Sequence, residues 1–143
     1  MSSVLTTQLI TTAAHIGSVT ISSIYHTSDF LINGSHVHVS DTLEELDIIN
    51  KVKIIESFII ELTENNKYKF KKSIKLALDS VHDIIDKINI ELLDIKKECE
   101  YHETRYFHYW RYPNCNQLLT NLKKHISILD HRVDLLKEII KII

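Results

Sequence analysis

Apolar residues recur with the spacing of a buried helix face in three stretches that follow Asp41. The gaps between apolar positions alternate between four and three residues, and we call each such series an apolar seam. The first seam is Ile48, Val52, Ile55, Ile59 and Leu62. The second seam is Ile74, Leu78, Val81, Ile85, Ile88, Leu92, Ile95, Cys99, His102, Tyr106 and Tyr109. The third seam is Cys115, Leu119, Leu122, Ile126, Leu129, Val133, Leu136, Ile140 and Ile143. A sustained period of about 3.5 residues is typical of helices that pack at shallow crossing angles.

Capping and turn residues between the seams set the predicted helix boundaries. Thr42 and Glu45 have the spacing of a capping box ahead of the first seam. Asn65 and Asn66 favour a turn, and Pro113 disfavours helix at the residue before it. We therefore predict helices at about 42–64, 67–112 and 114–142. The predicted fold is mainly all-α, an antiparallel helical bundle built from coiled-coil hairpins of these three long helices.

The first 40 residues have a different character and form a less regular N-terminal segment. No charged side chain occurs before Asp29, and Ser, Thr and β-branched residues are abundant. One helical face would carry Leu5, Leu9, Ala13 and Ile16, whereas the residues after Gly17 fit a strand about as well. Val37 and Val39 alternate with histidines and predict a short extended piece. The segment is thus helical or a short hairpin, and we expect residues 1–40 to dock on a bundle formed by 41–143.

The uncharged N-terminal stretch is long enough to be weighed as a membrane span. Gln8, His15 and many hydroxyl groups make it only mildly apolar, and no basic residues flank it. Docking on the bundle is therefore the favoured interpretation.

A helix continuous over residues 67–112 would be roughly 65–70 Å long. The first and third helices would fold back from its two ends and overlap only around residues 82–89. The parts of the long helix that neither neighbour packs against would leave apolar surface exposed. We therefore expect homo-oligomerisation or docking of the N-terminal segment to bury it. In this register Val81 pairs with Ile143, and Cys99 lies about 20 Å from Cys115 along the helix. No intrachain disulfide is expected at that distance.

Composition narrows the classes of function. The formal net charge is -2, which does not favour binding of nucleic acid through a basic surface. The chain has 14 lysines and three arginines and is rich in isoleucine, a bias that indicates an AT-rich genome such as that of a large DNA virus or a parasite. The N-terminus lacks the basic region of a signal peptide. We therefore expect a cytoplasmic protein, or a protein of the host cytoplasm or virion for a virus.

Aromatic residues cluster near the predicted end of the second helix. Trp, Tyr and Arg are the residue types that anchor protein interfaces. The predicted interface residues are Tyr106, Phe107, Tyr109, Trp110 and Arg111. The alternative is that the rings only cap the end of the bundle.

Lysines cluster at the predicted start of the second helix, where they oppose the helix dipole. They are Lys67, Lys69, Lys71, Lys72 and Lys75. They either pair with nearby glutamates or bind an anionic surface such as lipid headgroups. The second interpretation, together with the uncharged N-terminus, describes a peripheral membrane protein.

Metal binding and catalysis have weaker support. Cys99 and His102 share a helix face, and His125 would approach His102 in the predicted register, so these three are weak candidates for a metal-binding bundle. No fourth ligand is evident, and no cofactor is expected. Phosphate-loop, nucleophile-elbow and zinc-protease motifs are absent from the sequence. We predict a non-enzymatic interaction, scaffold or assembly protein with protein partners, among them further copies of itself.

Overall fold

The computed structural model describes residues 19–65, 67–68, 71–104 and 114–143. Within these ranges the chain is mainly helical and contains no strand, which confirms the predicted class. Helix α1 includes residues 19–32, and the helices that follow are α2 (Val37–Leu46), α3 (Ile48–Glu64), α4 (Lys72–Thr104) and α5 (Asn116–Ile142).

The three apolar seams form the core. Every seam position that the structure describes is buried, except Ile140 and Ile143 at the end of the third seam. The most deeply buried side chains come from the middle of α4 and α5, among them Ile88, Leu92 and Leu129. Helix α1 adds Ile21, Ile24 and Leu31 to the same apolar cluster. The period of 3.5 residues therefore predicted burial correctly.

Helices α4 and α5 pack along each other in opposite directions. Near the start of α4, Arg132 Nη1 donates a hydrogen bond of 2.7 Å to the Ser80 carbonyl oxygen. Near its end, the thiols of Cys99 and Cys115 are in hydrogen-bond contact. Moving from the first contact to the second advances 19 residues in α4 and retreats 17 in α5, so the two helices stay in register.

Polar contacts join the other neighbouring helices at their surfaces. They link α3 to α5, α1 to α3 and α1 to α4: Lys51 with Asp130 (3.1 Å), Tyr25 with Glu56 (3.0 Å) and Thr20 with Asp86 (3.2 Å). Helix α1 thus lies beside both α3 and α4 and covers part of the flank of α4. The division into a docking segment and a bundle stays a prediction for residues 1–18, which lie outside the described ranges.

The predicted single helix over 42–64 is wrong at its N-terminal side. Asp47 adopts the left-handed conformation, with φ 52° and ψ 40°, and separates α2 from α3. Aspartate tolerates this conformation better than most residues. Thr42 is not a cap, because it lies inside α2 and its hydroxyl donates to the His38 carbonyl at 2.8 Å.

The predicted extended piece at Val37 and Val39 is also wrong, since both residues belong to α2. Val39 is buried and Val37 is exposed. Two alternating positions are too few to distinguish a strand from the first turn of a helix. The turn predicted at Asn65 is present, with its side-chain Oδ1 accepting a 2.9 Å hydrogen bond from the Lys67 amide, and α4 begins at Lys72 instead of Lys67.

The predicted register of α4 and α5 is wrong as well. Ser80 meets Arg132, whereas the predicted register placed the neighbouring Val81 opposite Ile143. The predicted separation of about 20 Å between Cys99 and Cys115 is replaced by direct contact. The prediction assumed a helix continuous to Tyr112, and residues 105–113 lie outside the described part of the chain.

No helix among the described residues is long and apolar enough to cross a membrane. Part of the stretch that was weighed as a span is the amphipathic helix α1, whose apolar face is buried in the core. The remainder of that stretch falls within residues 1–18, which are not described.

Candidate functional site

The predicted aromatic interface falls on residues that the structure does not describe. Tyr106, Phe107, Tyr109, Trp110 and Arg111 all lie within 105–113. Their role in binding stays a prediction.

The lysine end of the molecule comprises Lys67, Lys71, Lys72 and Lys75. The first three are exposed, and the structure brings them together at the turn before α4 and its first residues. Lys75 is half-buried and forms an ion pair of 2.9 Å with Asp79. Lys69, the fifth predicted member, is not described.

Tyr68 is held against the protein instead of projecting into solvent. It packs partly against the apolar core, and the Lys67 ammonium lies 5.4 Å from the centre of its ring. The Tyr68 ring is therefore not presented to a membrane surface next to the lysines. Among the described residues, Lys71 and Lys72 have no carboxylate within ion-pair distance, so both charges face solvent.

Three exposed apolar side chains lie on α4 and α5 near the lysine end. Leu76 is one helical turn before Ser80, and Leu135 is one turn after Arg132. Since Ser80 and Arg132 meet across the two antiparallel helices, Leu76 and Leu135 lie at about the same level along the helix pair. Ile142 lies on the same face of α5 as Leu135, two turns further along. The exposed fractions are 59% for Leu76, 58% for Leu135 and 85% for Ile142.

We call Leu76, Leu135 and Ile142 the outer apolar patch. Sequence periodicity missed it, because these three positions fall outside the seams and single exposed apolar residues are common on protein surfaces. Only the register of α4 against α5 shows that Leu76 and Leu135 lie at the same level. Lys72 is one turn before Leu76, so the patch borders the lysine end.

The opposite end of the molecule carries a pair of histidines. The rings of His36 and His102 are 5.5 Å apart and nearly perpendicular. His36 Nε2 is 3.4 Å from a carboxylate oxygen of Glu103. His102 is only 8% exposed, and neither of its ring nitrogens has a hydrogen-bond partner within the described part of the chain. Buried imidazole nitrogens ordinarily find partners, so this pair is an unusual feature of the bundle end.

His36 was missed as a neighbour of His102. The contact joins residues 66 positions apart, and no local pattern records it. A groove of about 620 Å³ runs beside His36 and is lined by the start of α2 together with Asn114 and Asn116.

The two cysteines lie one helical turn from His102. Both are free thiols and both are buried. The hydrogen bond with Cys115, together with burial, raises the pKa of the Cys99 thiol above its usual range. The same hydrogen bond lowers the pKa of Cys115, which occupies the N-cap position of α5. The position of Cys115 at the N-terminus of α5, where the helix dipole favours an anion, fits it as the thiol of the pair that ionises more readily.

The predicted metal candidates do not come together. His125 lies seven residues before Arg132 and ten after Cys115, so it faces residues 87–89 of α4. That level is about 20 Å from His102 along the helix. The expected approach of His125 to His102 is wrong because the register differs. No group of three or more His, Cys, Asp or Glu side chains among the described residues is arranged to hold a metal ion.

The sequence of the chain is similar to that of a known viral protein. The chain is 32% identical over 100 residues to an uncharacterized protein of Acanthamoeba polyphaga mimivirus. The match covers 70% of this chain and 48% of the relative, so the chain spans about half the length of the curated relative it matches. No protein-family model and no solved structure matches the chain. The chain is therefore similar to part of a viral protein whose own function is not described.

Proposed function

We propose that this chain is a non-enzymatic interaction protein of viral origin that assembles with further copies of itself through the outer surface of α4 and α5. The outer apolar patch is the observation that supports this proposal. We place such a protein in the host cytoplasm or the virion. The proposal also includes the finer description of the fold as coiled-coil hairpins. In such a fold the apolar seams pack against each other inside the bundle, and the outer helix faces remain free to bind a second copy.

The patch is more than a set of scattered apolar residues. Leu76 and Leu135 come from different helices and lie at about one level, and Ile142 lies two turns from Leu135 on the same face of α5. Removing apolar surface from water contributes roughly 25 cal/mol per Å². A surface of this kind, rimmed by charge, is typical of an interaction site.

The charges around the patch fit a second copy of the chain. Lys71 and Lys72 lie at the start of α4, and Asp79 and Asp83 follow about two to three turns later on its exposed side. In a twofold dimer the same surface meets itself in opposite orientation. The lysines of one copy would then approach the aspartates of the other, while the two apolar patches cover each other.

The direct test is substitution of Leu135 by glutamate. We expect the Leu135→Glu variant to be monomeric in light scattering at concentrations where the wild type is a dimer or larger oligomer, because the substitution places a charge in the apolar interface. Ile54→Glu on α3 is the matched control, since Ile54 is 61% exposed and lies on another helix. Equal masses for the wild type and the Leu135→Glu variant would refute the proposed surface.

A second candidate function is binding to an anionic membrane surface through the lysine end. The exposed, unpaired positions of Lys71 and Lys72 favour it. Flotation with vesicles that contain anionic lipid tests it, with charge reversal at both lysines as the perturbation. Flotation of the wild type that is lost in the charge-reversed variant would support this role, and unchanged flotation would exclude it. A double substitution of Lys123 and Lys124, two exposed lysines of α5, is the matched control.

The aromatic segment is tested separately. If Trp110 anchors a protein partner, Trp110→Ala will weaken the assembly without loss of helix content. A variant that retains the full oligomeric state would show that this tryptophan does not contribute to self-association.

A further inference from the structure

The two cysteines of the chain face each other across α4 and α5. They are the only cysteines in the sequence, and each is almost fully buried. The register of the helix pair independently places the two cysteines close together. The hydrogen bond from Arg132 to Ser80 fixes the register at the other end of the helix pair. Counting from that contact places Cys99 within about two residues of the level of Cys115, which agrees with the contact between their thiols.

The neighbours of the pair restrict its chemistry. The cysteine pair lies in the apolar core. Ile95, one turn before Cys99, and Leu119, one turn after Cys115, are both buried. No set of three potential metal ligands among the described residues is arranged around them. Two thiols in contact from different helices have the arrangement from which a disulfide forms with little movement of the backbone.

We propose that Cys99 and Cys115 form a reversible intrachain disulfide by exchange with a small-molecule disulfide of the glutathione type. The bond would fasten the end of α4 to the start of α5 at the end of the molecule that also carries the His36 and His102 pair. The pair is thus a site of redox modification, and the bond would add a covalent link between the end of α4 and the start of α5.

The exchange proceeds in two steps. The thiolate of Cys115 attacks one sulfur of the small disulfide, whose sulfur–sulfur bond breaks, and one small thiolate leaves and takes up the proton that Cys115 has lost. The sulfur of Cys99 then gives up its proton and attacks the sulfur of Cys115, so that the mixed disulfide breaks and the second small thiol leaves with that proton. Two protein thiols are oxidised, and one small disulfide is reduced to two thiols.

Burial of both sulfurs makes the exchange slow in the folded protein, whereas the closeness of the two sulfurs in the folded chain makes its equilibrium favourable. The reagent reaches the pair only when this end of the helix pair opens. Once formed, the bond closes a loop of 15 intervening residues that the folded chain has already closed, whereas the unfolded chain must lose entropy to close it. Folding should therefore favour the disulfide strongly over two mixed disulfides.

The test measures this equilibrium in mixtures of reduced and oxidised glutathione, in native buffer and in concentrated guanidinium chloride. The protein is quenched with acid, alkylated and weighed by mass spectrometry. We expect the effective concentration of one thiol at the other to be about 100-fold higher in the native protein than in the denatured protein. The experiment is started once from reduced protein and once from protein oxidised in denaturant, so that the equilibrium is approached from both sides. Slow access of glutathione to the buried thiols is then not mistaken for lack of reaction.

Two variants serve as controls. Cys99→Ser and Cys115→Ser should each give only the mixed disulfide with glutathione, and far-ultraviolet circular dichroism should show that both remain helical. The oxidised wild type should also melt at a higher temperature than the reduced protein. Mixed disulfides on both cysteines, or an effective concentration no higher in native buffer than in denaturant, would overturn the proposal.

Discussion

Leu129 offers the clearest test of the shared core. It lies in the middle of α5, and 0% of its side chain is exposed. Leu129→Ala removes three carbon groups from the core, worth about 0.8 kcal/mol each in transfer free energy. The cavity that remains adds a further cost, because packed neighbours relax only in part. We expect the free energy of unfolding to fall by about 3–4 kcal/mol, a large part of the roughly 5–15 kcal/mol typical of a whole domain.

The assay is unfolding in urea, followed by circular dichroism at one fixed protein concentration. The midpoint should fall while the dependence on urea stays unchanged, since the surface exposed on unfolding is nearly the same. Leu93→Ala is the matched control, because the same atoms are removed from a side chain on α4 that is 42% exposed and lies outside the outer apolar patch. We expect a loss below about 1 kcal/mol for this variant. Equal losses for the two variants would refute the burial assigned to Leu129.

Three further substitutions test individual contacts. Arg132→Met removes the hydrogen bond to the Ser80 carbonyl and should lower the free energy of unfolding by about 1–2 kcal/mol in the same urea assay, and no loss would contradict the register. Burial lowers the pKa of His82 below 6.5, so the unfolded chain binds the proton more readily and stability should fall as the pH drops below 6.5. His82→Gln should reduce that fall, and an unchanged pH profile would contradict this cause. Burial and the hydrogen bond to Glu56 raise the pKa of Tyr25 above its usual range, so Tyr25→Phe should remove a phenol that ionises only at strongly alkaline pH in an ultraviolet titration, and an unchanged titration would contradict that assignment.

The sequence was sufficient to predict helix content and core positions because burial acts directly on local spacing. A helix that buries one face must place apolar residues three or four positions apart, as at Leu122, Ile126 and Leu129. Each of these residues is buried in the structure. The periodic signal needs no knowledge of the partner helix, and for that reason it was reliable.

The break at Asp47 was not visible in the same pattern. Apolar residues continue across it, with Leu43 buried before the break and Ile48 directly after it. The left-handed conformation of Asp47 turns the chain between α2 and α3, and the apolar spacing carries no signal for it. Aspartate tolerates this conformation, but an aspartate in a sequence does not by itself predict it.

The register of α4 and α5 was the most consequential error. A seam that repeats its four-and-three spacing offers several alignments in which apolar residues still meet. Leu92 was expected opposite Val133, yet the observed contacts place it opposite residues 120–122. The cysteine contact and the outer apolar patch both depend on this alignment, so neither was accessible from periodicity.

Self-association is the claim on which the proposed function depends, and sedimentation equilibrium of the wild-type chain over a wide range of concentrations tests it most directly. We expect a reversible equilibrium between the monomer and a dimer or larger oligomer, since a second copy would cover the patch formed by Leu76, Leu135 and Ile142. A folded, helical protein that sediments as a monomer at every concentration would contradict the proposal.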